Sequence, residues 1–217
     1  CLSIHETTKL NYQGTEIDFK RPWKRLKMVD AISGKIGIDV VNMKKADIIK
    51  YMKDNDIDLD PKITHSKGLV ISALFEAVCE EDLTQPTFIY DHPIDSTPLC
   101  KPLREYTMQQ LEEMKRDPEA VIFVERFEPY INNWELGNSY TELNDPVLQR
   151  SLLEAQVERG RGGEEETHPL DEDFLRAIEV GMPPTTGVGL GVDRLVMLLT
   201  NSATIRDVLF FPLMRPQ

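Results

Sequence analysis

Three glutamates recur at seven-residue intervals among aromatic residues near the middle of the chain: Glu128, Glu135 and Glu142. Charged side chains in such surroundings are costly unless they are paired or functional. Three carboxylates on one surface could bind a divalent cation through oxygen ligands, or recognise a cationic substrate. An acidic sheet face turned to solvent is the structural alternative, and the spacing alone leaves both interpretations open.

A β-hairpin is expected to position these glutamates. Residues 121–131 and 134–143 are strand-like runs, and Asn132-Asn133 between them is a typical hairpin turn. Both runs mix polar side chains with large apolar ones, as strands with one buried face do. The glutamates therefore belong to two adjacent strands.

Alternation along the second strand decides which side chains can act together. Asn138, Tyr140 and Glu142 share one face, whereas Glu135 has the opposite parity. A one-residue bulge at Gly137 would bring Glu135 to the same face. Without such a bulge, Glu135 would lie on the opposite face from Glu142.

A second group is the glycine-rich string Gly187-Val-Gly-Leu-Gly-Val-Asp-Arg194, which is predicted to be a strand that runs into a helix. Alternate glycines let another group approach the backbone closely, and a helix that starts after Gly191 favours an anionic or nucleotide ligand. The string is neither a Walker loop nor GxGxxG. Close packing of strand and helix, with Arg194 in a structural pair, explains it equally well.

The composition limits the class of protein. The chain has 217 residues, 41% of them apolar, and 25 Lys+Arg against 37 Asp+Glu give a net charge of -12. Such acidity argues against a chain that mainly grips nucleic acid, because phosphate binding needs clustered Lys and Arg. No segment approaches the roughly 20 apolar residues of a membrane span, so we expect no membrane partner and a cytoplasmic location.

Histidine and cysteine are weak candidates for chemistry. Cys79 and Cys100 have no neighbouring histidine in sequence and are expected to be packing residues. The histidines lack ligand spacing, so loop or surface positions are expected for His5, His65, His92 and His168.

Mixed strands and helices without βαβ alternation predict an α+β domain built on an antiparallel sheet. An exposed helix or excursion is expected within residues 104–120, and a solvated loop over residues 160–166. The remaining helices are predicted over residues 26–34, 44–54, 66–82, 146–159, 171–181 and 191–199, and the remaining strands over 15–19, 87–90, 185–190 and 208–211.

The motifs together resemble class II lysyl-tRNA synthetases. The resemblance rests on Glu135-Leu-Gly-Asn-Ser-Tyr-Thr-Glu-Leu-Asn-Asp-Pro146, the glycine-rich string and Thr200-Asn-Ser-Ala-Thr-Ile-Arg-Asp-Val208, and it continues to the ending Phe211-Pro-Leu-Met-Arg-Pro216. Gly-x-Gly-x-Asp-Arg alone indicates a class II synthetase relative. The Glu-Leu-Asn-Asp-Pro and Thr-Asn-Ser segments indicate the lysine branch.

The resemblance implies the class II catalytic core, an antiparallel six-stranded sheet flanked by helices. There lysine and ATP form lysyl-adenylate, which is transferred to tRNA(Lys), and the family enzyme is expected to be a homodimer. Glu128 and Glu135 match the pair that holds Mg²⁺ on the ATP phosphates. Asn138 and Glu142 match lysine contacts, with Glu142 suited to the side-chain ammonium, and Tyr140 matches an aromatic wall.

The glycine-rich string matches motif 3 of these synthetases. Arg194 is implied to be the catalytic, ATP-binding arginine that covers the adenine and reaches the terminal phosphate. Gly191, just before the helix, is implied to contact ATP.

Some family elements are not found in residues 1–217. The anticodon-binding OB-fold, motif 1 and motif 2 are expected before the region that begins near residue 15. The chain is therefore interpreted as the C-terminal part of an incomplete catalytic domain that is inactive alone. A truncated, non-catalytic paralogue that acts as a binding module and a synthetase-like enzyme that lysylates a protein remain alternatives.

Overall fold

The computed structural model of the chain describes residues 1–161 and 169–213. The strands are β1 (Lys9–Tyr12), β2 (Thr15–Asp18), β3 (Lys24–Lys27), β4 (Thr87–Pro93), β5 (Phe123–Ile131), β6 (Trp134–Glu135), β7 (Gly137–Thr141) and β8 (Thr186–Leu190). The helices are α1 (Leu2–His5), α2 (Met28–Ile36), α3 (Lys45–Asp54), α4 (Lys67–Cys79), α5 (Met108–Met114), α6 (Pro146–Arg161), α7 (Glu172–Gly181) and α8 (Val192–Thr200). Short 3-10 turns occur at Pro61–Ile63, Glu80–Asp82, Ile94–Ser96 and Ile205–Asp207.

A six-stranded sheet forms the centre of the fold. Its order is β3-β4-β5-β7-β8, with β6 also paired to β5, while β1 and β2 form a separate hairpin. All pairs within the large sheet are antiparallel except β3 with β4, which run parallel. The predicted α+β class with an antiparallel sheet flanked by helices is confirmed, with this one parallel pair at the edge.

The β5–β7 hairpin contains a one-residue bulge next to Gly137. Tyr130 is opposite Glu135 in β6, whereas Phe127 is opposite Ser139 in β7, so the register shifts by one residue between the two pairs. Leu136 lies at the shift, and its N–H donates to Pro129 O at 2.7 Å. The extra residue reverses the side-chain alternation at the end of β6.

The hairpin turn is built by the two adjacent asparagines. Asn132 and Asn133 both have positive φ, at 54° and 64°. This backbone suits a two-residue turn between twisted strands, and asparagine tolerates it better than most residues. The predicted turn is confirmed.

Two apolar clusters hold the sheet. In the larger one, α2, α3 and α4 pack around Ile71 and Phe75 and against Ile89 and Tyr130 of the sheet. Ser66 caps the start of α4, because its side chain accepts from the Leu69 N–H. The smaller cluster joins the β1–β2 hairpin to α8 through Tyr12, Ile17, Ile131, Leu136 and Leu198.

Two predicted elements are wrong. Leu26 belongs to β3 and not to the following helix, which begins at Met28. Residues 208–211 form no strand, because the Val208 N–H closes a turn onto Ile205 O at 3.2 Å. Phe210 and Phe211 follow with 96% of their surface exposed and no strand partner among the described residues.

Part of the chain lies outside the described residues: 162–166 of the predicted loop, His168, and 214–216 of the ending that carries the resemblance. Within residues 1–161 and 169–213, no helix is long and apolar enough to cross a membrane.

Candidate active site

The bulge gathers the predicted residues of the hairpin on one face of the sheet. Directly opposed residues of antiparallel strands share a face; Glu135 is opposite Tyr130, and Tyr140 is opposite Arg126. Alternation along β5 and β7 places the others with them. We call this surface the site face, and it carries Arg126, Glu128, Tyr130, Glu135, Asn138, Tyr140 and Glu142.

Glu128 is the most buried carboxylate of the site face. Arg126 Nη2 donates to its Oε1, and the Tyr130 hydroxyl lies 3.2 Å from its Oε2. Burial raises the pKa of Glu128, and the charge of Arg126 opposes that rise. The sheet thus holds this carboxylate in a fixed position, so an acidic face simply turned to solvent does not describe it.

Glu135 and Glu80 add negative charge beside Glu128. Burial and the charge of Glu128 raise the pKa of Glu135. Burial likewise raises the pKa of Glu80, whose Oε1 is 3.0 Å from the Tyr130 hydroxyl. These carboxylates line one open cavity of about 610 Å³ between α4 and the sheet. The site is therefore short of positive charge and suited to a cationic ligand.

The donor set fits a magnesium ion bound together with phosphates. Mg²⁺ typically takes one or two protein carboxylates, with water and substrate phosphate completing the shell. Glu128 and Glu135 supply hard oxygen donors, and burial together with the charge of Glu128 raises the pKa of Glu135. Among the described residues no group of three or more Asp, Glu, His or Cys side chains could hold a metal ion, so the pair would need water and phosphate to complete the shell.

Glu142 lies beyond the end of β7, on the same face. Its N–H donates to Thr185 O at 3.0 Å, and it forms an isolated bridge with Cys100. Burial raises the pKa of Glu142. Gly187 of β8 leaves the space that the carboxylate occupies, because a Cβ there would lie 2.3 Å from Glu142 Oε1.

The glycine-rich string forms β8 and the start of α8, as predicted. The Gly191 N–H donates to Leu136 O at 2.8 Å, which anchors the start of α8 to the bulge. Arg194 is exposed in the first turn, and its Nη1 donates to the backbone oxygen of Glu135. The guanidinium therefore lies beside the acidic pair, held by a backbone oxygen and not by an ion pair.

Two neighbours of the site were not predicted correctly: the position of His92 was wrong, and Glu80 was not recognised as part of the site. His92 is only 3% exposed in β4, with Nε2 3.7 Å from Glu128 Oε2, so its expected surface position is wrong. Burial and the charge of Arg126 lower its pKa to about 3, so the ring is neutral. Glu80 follows α4 in a 3-10 turn, and no local pattern connects it with Glu128.

Cys79 and Cys100 are buried, as expected for packing residues. Burial raises the pKa of each thiol to about 11. Neither is a thiolate at neutral pH, so neither is an activated nucleophile.

Comparison with known sequences decides the family. The profile of the tRNA synthetases class II (D, K and N) matches residues 3–215, nearly the whole chain. The chain belongs to this family. The fold is therefore that of the catalytic domain of class II synthetases.

Curated relatives narrow the similarity to one branch of the family. "Lysine--tRNA ligase" of Thermoanaerobacter sp. (strain X514) is 44% identical over 214 residues, which cover 99% of this chain and 40% of the relative. The proteins of the same name from Pelotomaculum thermopropionicum and Clostridium perfringens (strain SM101 / Type A) are 44% and 41% identical, over 97% and 100% of this chain. The chain thus spans about two fifths of the length of these relatives.

Proposed function

We propose that this chain supplies the motif 3 part of the catalytic domain of a lysyl-tRNA synthetase. The complete enzyme would activate lysine with ATP to lysyl-adenylate and transfer the lysyl group to tRNA(Lys). The observation that carries the proposal is the placement of Glu142 on the same face as Asn138, Glu128 and Glu135. The similarity to lysine--tRNA ligases supports it.

Glu142 provides the selectivity for lysine. Burial already raises the pKa of this carboxyl, so a cation that pairs with it relieves an unfavourable charge. An amino acid without the ammonium would leave the carboxylate unpaired, which disfavours binding. Burial and the nearby charge of Glu142 both raise the pKa of Tyr140, so its ring can border the aliphatic part of the substrate.

The chemical step is an attack of one lysine carboxylate oxygen on the α-phosphorus of ATP. A new P–O bond forms, and the bond to the pyrophosphate oxygen breaks. Positioning and neutralisation of charge are the main tasks of the protein. Arg194 would cover the adenine with its planar group and reach the terminal phosphate with its fork. Glu128 and Glu135 would hold Mg²⁺, which neutralises phosphate charge when it is bound.

The remaining properties are proposed from the family resemblance. The complete enzyme is expected to be a cytoplasmic homodimer that takes lysine, ATP and tRNA(Lys) as its ligands. The anticodon-binding OB-fold and motifs 1 and 2 would belong to the part of the enzyme that the relatives have beyond this chain.

Gly187→Ala should weaken lysine binding. The new Cβ would lie 2.3 Å from Glu142 Oε1, so the carboxylate must move. Because a displacement of about 1 Å at a positioning group can cost up to roughly 100-fold, we expect the KM for lysine to rise about tenfold. Pyrophosphate exchange by the full-length enzyme measures this KM and that for ATP, which should not change.

Gly34→Ala is the matched control for this substitution. Gly34 lies in α2, and a Cβ there would meet nothing within 4 Å. Both KM values should stay at the wild-type level. A Gly187→Ala enzyme with unchanged lysine KM would show that Glu142 does not contact the substrate.

The isolated 217-residue chain should activate lysine poorly. Glu80, Glu128 and Glu135 crowd the site, and Arg126 is already engaged with Glu128. Removal of one hydrogen-bond donor to a developing negative charge lowers the rate of a reaction about 100- to 1000-fold. We therefore expect pyrophosphate exchange by the isolated chain to be at least roughly 100-fold slower than exchange by the full-length enzyme. Robust lysine-dependent pyrophosphate exchange by this chain alone would contradict the expectation.

Transfer of labelled lysine by the full-length protein tests the proposed function. Labelled tRNA(Lys), with no label on protein, is the expected result. Label on a protein acceptor would indicate a synthetase-like enzyme that lysylates protein. No label on either acceptor would indicate a non-catalytic module.

A further inference from the structure

Arg126 lies between the glutamate that we assign to magnesium and the asparagine that we assign to lysine. Its Nε donates to Asn138 Oδ1 at 3.0 Å, its Nη1 to Ser96 Oγ at 3.2 Å, and its Nη2 to Glu128 Oε1. The side chain is only 14% exposed. One planar group therefore joins β5, β7 and the turn that follows β4.

Ser96 is a fixed point for this arrangement. Its hydroxyl donates to Pro93 O at 2.7 Å, so its oxygen is available to accept from Arg126. The two bonds use the one proton and one lone pair of the hydroxyl. The guanidinium is thus anchored to backbone that does not belong to the hairpin.

The chemistry of the guanidinium decides how the Asn138 amide is turned. Arginine has five N–H donors and no acceptor, so Asn138 must direct its oxygen, and not its nitrogen, towards Arg126 Nε. The two Nδ2 hydrogens of Asn138 then point elsewhere, and among the described residues the hydrogen bond from Arg126 is the one bond of the Asn138 side chain. Such donors suit an anionic oxygen and repel an ammonium group.

The order of residues along the strand indicates which oxygen that is. Asn138 and Glu142 are four residues apart on one face, about 13 Å along an extended strand. A lysine whose ammonium reaches Glu142 would direct its opposite end towards Asn138 and the acidic pair. That end carries the carboxylate that attacks ATP.

We propose that Arg126 is a positioning residue: it holds Glu128 in place and turns the Asn138 amide so that its Nδ2 donors meet the carboxylate of the amino acid. This inference rests on the proposed function, because lysine is its ligand. In this arrangement Arg126 acts on the substrate through Glu128 and Asn138. Loss of its fork therefore acts through two other side chains.

Arg126→Lys in the full-length enzyme is the first test. Lysine keeps the charge but cannot bond Asn138, Ser96 and Glu128 together. Loss of a group that orients ligating residues typically costs about 10- to 100-fold, and we expect kcat/KM for lysine to fall by that factor. The control is Arg104→Lys. Arg104 pairs with Glu125 of β5, but its side chain is 81% exposed, so this variant should retain the wild-type kcat/KM. Equal activity of the two variants would overturn the proposal.

Asn138→Asp separates positioning from mere support of the fold. Aspartate keeps an oxygen for Arg126 but has no donors for a carboxylate. Binding of lysine should weaken about tenfold or more, since a buried hydrogen-bonded contact is replaced by repulsion. Cadaverine, which is lysine without its carboxylate, should bind Asn138→Asp as tightly as it binds the wild-type enzyme.

Calorimetric titration of both ligands gives the decisive outcomes. Lysine binding that is unchanged or tighter in Asn138→Asp, or an equal loss for lysine and cadaverine, would overturn the inference and leave the proposed function intact. A wild-type enzyme that binds neither lysine nor cadaverine would overturn both.

Discussion

Glu142→Gln should weaken the binding of lysine by about 100-fold and leave the binding of ATP unchanged, because loss of one partner of a buried, hydrogen-bonded charge pair costs about 2–5 kcal/mol. Glutamine has nearly the same shape, so the substitution removes only the charge. Burial raises the pKa of Glu142, so its carboxylate is already partly removed from water. Calorimetric titration of the full-length enzyme with lysine and with an ATP analogue measures the two effects separately.

Glu16→Gln is the control for this change. Glu16 is an exposed residue of β2, and its Oε1 lies 2.7 Å from Lys9 Nζ. Its surroundings therefore differ from those of the half-buried Glu142. Exposed pairs contribute little, so both ligands should bind as they do to the wild-type enzyme. Equal losses of lysine and ATP affinity in Glu142→Gln would contradict the proposal that Glu142 binds the side-chain ammonium of lysine.

Arg194→Lys should impair the use of ATP and leave the binding of lysine unchanged. Lysine retains the positive charge but has neither the planar face that can cover adenine nor the fork that grips a phosphate. Because removal of one donor to developing charge costs about 100- to 1000-fold, we expect kcat/KM for ATP to fall by roughly 100-fold. Lysine affinity should remain at the wild-type level, and pyrophosphate exchange at varied ATP measures the loss.

An arginine on another helix serves as the reference for Arg194. Arg176 in α7 is exposed and has only a 3.7 Å pair with Asp173. Arg176→Lys should retain full activity. If Arg194→Lys also kept its kcat/KM for ATP, the exposed guanidinium beside Glu135 would have only a structural role.

The candidate site was largely predictable because its residues lie in one hairpin. The opposite parity of Glu135 required a bulge for the glutamates to share a face, and the register shift at Leu136 provides it. The Asn132-Asn133 turn likewise follows from a local preference for positive φ. Residues that are close in the sequence of a hairpin are also close in space. Period-two alternation is therefore sufficient to predict which of their side chains share a face.

The missed parts depend on contacts between distant segments. Glu80 approaches Glu128 because α4 packs on the sheet, and nothing in the residues around Glu80 indicates that neighbour. β3 is mainly charged, and only its parallel pairing with β4, about sixty residues later, makes it a strand. Such pairings are set by the whole core and not by local propensity.

The pairing of Arg126 with Glu128 is predictable from the same alternation. Arg126, Glu128 and Tyr130 occupy every second position of β5 and must share a face. An arginine in that row is the natural partner of a buried carboxylate. The triple contact with Asn138 and Ser96, in contrast, requires the folded sheet.

Amino-acid-dependent pyrophosphate exchange by the full-length protein tests the lysine assignment most directly. The family includes synthetases for aspartate, asparagine and lysine, so these three amino acids should be compared under identical conditions. We expect exchange with lysine and none above background with aspartate or asparagine, because Glu142 attracts an ammonium and disfavours a carboxylate or a neutral amide. Exchange driven by aspartate or asparagine, and not by lysine, would contradict the assignment.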